Sequence, residues 1–257
     1  SGPFARLCAH ERLVLVDPRR LRLTEREALE LVALRRVGRT PLREDQVLRL
    51  HNWCEGWISG LVLASAQAPD ALPVELATLA RDRIFPYLAA TVLDRQPAAV
   101  CQLLLAAALL PTFSPAMAEA VSGIRGAGPI LGRMAERNLF ITVRPALSTR
   151  ELEAPPVYQF HDLLREFLLA RGRTSWGAAN RRALLLRAAA ALAGDSQADA
   201  AAQALIEAQA WDALAKLVRA EAAAQVESGR QQTLAGWLNQ LPARWLAADP
   251  WLAYWDG

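Results

Sequence analysis

Lysine is almost missing from this chain of 257 residues. Lys216 is the only one among 29 basic residues, and the rest are arginine. A phosphate-cradling loop of the form GxxxxGK[ST] needs a lysine after its glycines. No such motif occurs, so the chain carries no Walker A site and is expected to hydrolyse no ATP by itself. Cysteine is scarce as well. Cys8, Cys54 and Cys101 are odd in number, far apart and without any CxxC pair. That fits free thiols in a reducing cytosol and argues against a disulfide framework. The three histidines, His10, His51 and His161, have no metal-ligand spacing. The apolar run at 103–110 falls far short of the roughly 18 residues that span a bilayer. The N-terminus has neither the charged start nor the apolar core of a signal peptide. The expectation is a cytoplasmic chain with no membrane partner and no metal.

What is present is aliphatic. Hydrophobic residues make up 53% and aromatics only 7%, so the apolar content is largely Ala and Leu, both strong helix formers. The length suits two or three domains. The net charge of +3 comes from 29 basic and 26 acidic residues. Arginines alternate with acids, as in Arg26–Glu27 and Arg165–Glu166, which favours a solvated, ion-paired surface over a nucleic-acid patch.

Along the chain, residues 12–16 are an apolar run before Asp17–Pro18 and predict a lone strand. Thr24 and Glu27 form a capping box, which opens a helix ended by Gly38. Thr40–Pro41 predicts the start of a second helix, with Pro at its first position. Gly56 breaks that pattern, and a small-residue helix follows at 59–68. Further helices are predicted at 74–94, at 98–110, and from Ser114 as N-cap with Pro115 behind it. The stretch 123–129 reads as a loop and 130–137 as a helix. The period then changes. Residues 139–143 and 157–160 are β-prone runs that form a hairpin with a long loop. Three helices, a hairpin and a closing helix are the order of a winged-helix domain. From Trp176 onward the sequence predicts short paired helices at 176–193, 197–208, 212–224 and 230–240, with another near Pro250. That cadence is of the tetratricopeptide type of α-solenoid. The last residues, with three aromatics and no cap, suggest that the chain stops inside a repeat array.

His161 sits where the strand Val157–Tyr158–Gln159–Phe160 meets the helix that begins with Asp162–Leu163–Leu164. An imidazole there can point with free helix N–H groups at an anion, or it can simply cap the helix. Asp162 is a further candidate N-cap. Five of the eight tryptophans, Trp211, Trp237, Trp245, Trp251 and Trp255, fall near the C-terminus. Core packing is favoured for them over an exposed binding surface.

Three segments resemble the MalT-like, LuxR-type ATP-binding transcriptional regulators, a branch of the STAND nucleotide-switch ATPases. The first is Glu55–Gly56–Trp57–Ile58–Ser59–Gly60–Leu61. The second runs from Phe85–Pro86–Tyr87–Leu88 through Leu93–Asp94–Arg95–Gln96–Pro97 to the hairpin and Phe160–His161–Asp162–Leu163–Leu164–Arg165–Glu166–Phe167. The third includes Gly229–Arg230 and Trp237–Leu238–Asn239–Gln240–Leu241–Pro242.

The resemblance implies a mainly α fold in three parts. These are the end of an ATPase core with a small helical lid bundle (1–72), a winged-helix domain with a β-hairpin (73–173), and the start of a tetratricopeptide-like sensor solenoid (174–257). It implies a fragment of a signal-responsive regulator that acts in nucleotide-gated switching and effector sensing. His161 would touch the β-phosphate of ADP. Gly56 and Ile58 would stand where the family has Gly-x-Pro against adenine, with Ile58 in place of the proline. ADP or ATP would belong to the full-length parent, and none would be held by this fragment alone. The implied partners are the parent's own ATPase core and C-terminal DNA-binding domain, and an unknown effector at the helical region. Direct nucleic-acid binding by the winged helix is not expected. The alternative is a helical protein–protein interaction scaffold with no nucleotide role.

Overall fold

A computed structural model describes residues 22–37, 41–65, 84–94, 96–137, 140–143 and 155–256. The predicted strand at 12–16, most of the hairpin loop and the first part of the helix expected at 74–94 lie outside the described residues. The fold is mainly α, and the chain divides into two compact units, Ser1–Arg95 and Gln96–Gly257.

In the first unit, α1 (Glu25–Arg35) opens on the predicted capping box. Thr24 Oγ1 accepts the Glu27 N–H at 3.3 Å, and the Glu27 carboxylate accepts the Thr24 N–H at 2.8 Å. The next helix, α2, spans Glu44–Trp53 and starts later than Pro41 suggested. Its N-cap is Arg43, whose N–H is taken by Gln46 Oε1 at 2.9 Å, with Glu44 and Asp45 in the first turn favouring the positive helix end. Helix α3 (Ile58–Ser65) packs on both. Arg36 is buried, and its Nη1 donates to the Ser65 carbonyl at 2.8 Å, satisfying an end of α3. A π-turn at Ala89–Leu93 closes the described part of this unit.

The second unit begins with α4 (Ala98–Ala107), α5 (Pro115–Ser122) and α6 (Ala127–Glu136). Ser114 caps α5 with Pro115 at its first position, as the sequence predicts. Helix α6 starts three residues before the predicted 130. The cause is Glu119 on α5, whose Oε1 accepts the Gly126 and Ala127 N–H groups, each at 2.9 Å. Strands β1 (Ile141–Val143) and β2 (Tyr158–Phe160) pair antiparallel, with Ile141 opposite Phe160 and Val143 opposite Tyr158. Tyr158 also bridges Phe113 through two backbone bonds of 2.8 and 2.9 Å, which seats the hairpin on the α4–α5 turn. Helix α7 (Asp162–Ser175) returns across α4. Three helices, a hairpin and a closing helix make a winged-helix fold. Leu103, Phe113, Leu131, Phe160 and Leu164 lie among its fully buried side chains.

A solenoid-like run of helices follows: α8 (Ala178–Gly194), α9 (Ala198–Glu207), α10 (Trp211–Glu227), α11 (Gln231–Leu238), α12 (Ala243–Ala248) and α13 (Pro250–Asp256). Helix α12 was not visible in the sequence pattern. Helix α8 packs on α5 as well as on α9. A clasp forms beside that contact. Gln197, the N-cap residue of α9, donates from Nε2 to the Thr112 carbonyl at 3.1 Å, and Thr112 Oγ1 donates to Gln197 Oε1 at 3.2 Å. Trp237 is buried in the array core, with Trp211, Trp245 and Trp255 packed against it, as core packing requires. Trp251 departs from that pattern at 47% exposed.

Candidate functional site

The junction of β2 and α7 places His161. Its N–H donates to the Phe140 carbonyl at 2.8 Å, which extends the hairpin ladder by one bond. Its backbone then turns into the helix, with φ −57° and ψ 139°. The imidazole Nδ1 accepts the Leu163 N–H at 3.2 Å, so His161 itself is the N-cap of α7. The sequence had offered Asp162 for that place. Asp162 is instead the first helical residue, because the backbone bond to Phe140 holds position 161 in extended geometry. Since Nδ1 accepts, the ring proton of the neutral imidazole sits on Nε2. The Phe140 ring stands edge-on to the imidazole, with centroids 6.1 Å apart at 86°.

Arg165 lies one turn along, and its N–H bonds back to the His161 carbonyl at 2.9 Å. Alternation with Glu166 predicted a solvated surface pair. The structure corrects this: Arg165 is half-buried beside Leu164 and Leu168. Burial pushes its guanidinium pKa down, partly offset by the charge of Asp162. Among the described residues, its buried Nε has no hydrogen-bond partner. His161 and Arg165 thus stand four residues apart on one face of a 14-residue helix, at its positive end. The His161 Nε2 and the Arg165 Nε are both buried there, and Asp162 adds a carboxylate to the same first turn. The signal was available in the sequence as a basic residue at i+4 from the histidine, flanking the apolar stripe.

Gly56 and Ile58 lie in the other unit. Glu55 and Gly56 both have left-handed backbone, with φ of 48° and 73°. A Cβ on Gly56 would come within 2.8 Å of the Leu23 carbonyl oxygen. The close approach is fixed by the Leu23 N–H, which donates to the Gly56 carbonyl at 2.9 Å, and by His51 Nε2–H, which donates to the Leu23 carbonyl at 2.7 Å. Gly56 is therefore required by the backbone path. Ile58 opens α3 with its side chain exposed. Trp57 packs on the exposed Tyr87, with ring centroids 5.8 Å apart. Ile58, Trp57 and Tyr87 offer apolar and aromatic surface of the kind a base can lie on.

Cys54 is buried in this unit, and burial pushes its thiol up to about 12. Among the described residues, no group of His, Cys, Asp and Glu could hold a metal ion, and no helix is long and apolar enough to cross a membrane.

Residues 89–182 match the family model of the MalT winged helix domain. The match runs from the π-turn through the hairpin and His161 into the start of α8. No curated protein matches the chain.

Proposed function

We propose that this chain is part of a MalT-like, LuxR-type ATP-binding transcriptional regulator. Its winged helix would gate a bound nucleotide and its helical array would sense an effector. The match of residues 89–182 to the MalT winged helix domain carries this reading. The geometry around His161 supports it. His161 stands at the N-cap of α7, and its imidazole is proposed as the contact to a phosphate oxygen. Arg165 and the start of α7 add positive potential on the same side. ADP or ATP would supply the phosphate in the parent protein, and the parent's ATPase core would hold most of it. Ile58, beside the Trp57–Tyr87 ring pair, is proposed as a contact to the adenine base. This chain alone would bind no nucleotide and catalyse no reaction, and DNA would be read by a separate module of a cytoplasmic parent.

The test is ADP affinity of the full-length parent carrying His161→Ser. Serine keeps a capping oxygen but has no ring donor. Weaker ADP binding with higher effector-independent activity is expected. Unchanged ADP affinity in a folded His161→Ser protein would sink the reading.

A further inference from the structure

Helices α9 and α11 both pack on α10 and face each other across an open groove of about 640 Å³. Helix α9 lines it with Asp199, Gln203 and Ile206, at the i, i+4, i+7 spacing of one helix face. Thr233, Gly236 and Gln240 line the other wall. We propose that this groove binds an extended polypeptide through its main chain.

The argument starts from Gly236. It lies inside α11, where glycine costs about 0.5–1 kcal/mol relative to alanine. A Cβ there would meet nothing within 4 Å, so packing within the chain does not demand glycine. The space above it admits an incoming backbone at close range. Gln203 and Gln240 are exposed on opposite walls. Each primary amide offers a donor and an acceptor, the two groups that a peptide unit offers in return. Ile206 is a half-buried apolar rest for a side chain. Asp199 is exposed and holds Arg230 only at 3.7 Å, so its carboxylate can take a basic side chain instead.

Other ligand classes fit less well. Phosphates and nucleic acid need clustered cations, and the lining residues include none. A sugar ring favours an open aromatic face, but the only ring in the lining, Trp237, is buried in the core. The eight residues of α11 extend about 12 Å at ~1.5 Å per residue. That accommodates roughly four extended residues. The site stands on its own geometry, and only its regulatory consequence rests on the sensing role proposed above.

The experiment uses the 15N-labelled chain and a pool of N-acetylated hexapeptides, randomised over small and aliphatic residues with one fixed lysine. A neutral linear tetrasaccharide is titrated in parallel. Saturable shifts of the Gln203 and Gln240 side-chain amides and of the Gly236 N–H are expected with the peptides alone. Gly236→Leu, which fills the open space, should weaken binding roughly tenfold or more. Gly236→Ala should keep binding and raise the thermal midpoint. The proposal is overturned if millimolar peptide leaves these three signals unmoved. It is equally overturned if a folded Gly236→Leu binds as before, or if only the tetrasaccharide shifts them. In the parent protein, Gly236→Leu with an unaltered signal response would remove the sensing role and leave the groove assignment standing.

Discussion

Phe140 holds His161 by two kinds of contact at once: its carbonyl accepts the histidine N–H at 2.8 Å, and its ring meets the imidazole edge-on. Phe140 does so with φ at 58°, a backbone state that costs an L-residue about 1–2 kcal/mol. The hairpin and α7 together over-determine that conformation. His161 is therefore held from both sides, its backbone N–H by the Phe140 carbonyl and its imidazole Nδ1 by the Leu163 N–H.

His161→Ala should cost about 1 kcal/mol, the usual value of an N-cap. His161→Ser should restore most of it. Urea unfolding followed by circular dichroism measures both, and equal midpoints for wild type and alanine would show that the cap contributes nothing.

Two left-handed glycines should respond differently to alanine. At Gly56 a Cβ meets the Leu23 backbone at 2.8 Å, whereas at Gly126, with φ 81°, it meets nothing within 4 Å. Gly126→Ala should cost only the backbone strain, about 1 kcal/mol. Gly56→Ala should cost that and a steric clash, roughly 2–4 kcal/mol in total. Thermal melts of the two variants, compared with wild type, rank them directly.

Acid should weaken the start of α1. The Thr24 backbone N–H, followed by the Thr24 hydroxyl, holds the Glu27 carboxyl below its usual range. A folded-state pKa below the unfolded one gives stability that is present above the unfolded value. It is lost as pH falls through the folded value. Glu27→Gln should thus be less stable than wild type at neutral pH, and the gap should close below about pH 4.3. Parallel urea titrations at pH 7 and in mild acid would show this; a gap that widens in acid would refute it.

Cys54 should be chemically silent. With its thiol near 12, only about one molecule in ten thousand carries the thiolate at pH 8. In a Cys8→Ser background, Ellman's reagent should label the half-buried Cys101 first. Cys54 should react only on unfolding, and two equal fast phases would contradict this.

Local rules were legible in the sequence where their partners are near neighbours. The Thr24–Glu27 box, the Ser114–Pro115 helix start and the Tyr158–Phe160 strand each depend on residues within one turn or one pleat. The start of α6 was not legible, because its capping carboxylate comes from Glu119 on the preceding helix. The same holds for the half-buried state of Arg165, which is set by packing. The histidine was found as a candidate from its place between strand and helix. That its Nδ1 is already spent on the cap depends on the turn of the backbone at 161, which no sequence pattern marks.

The Thr112–Gln197 clasp has a mechanical meaning. Gln197 begins α9, which forms one wall of the groove, and Thr112 precedes Phe113, whose backbone is bonded to Tyr158 three residues before His161. Two hydrogen bonds of about 1 kcal/mol each join these parts. A small displacement of α9 loads these two bonds before any other polar contact between Thr112 and Gln197. One that breaks them costs roughly 2 kcal/mol and leaves the packing of α8 on α5 as the remaining link. The clasp thus resembles a shear pin set beside a weld: two bonds that can give way at the groove wall while the packed helices stay joined.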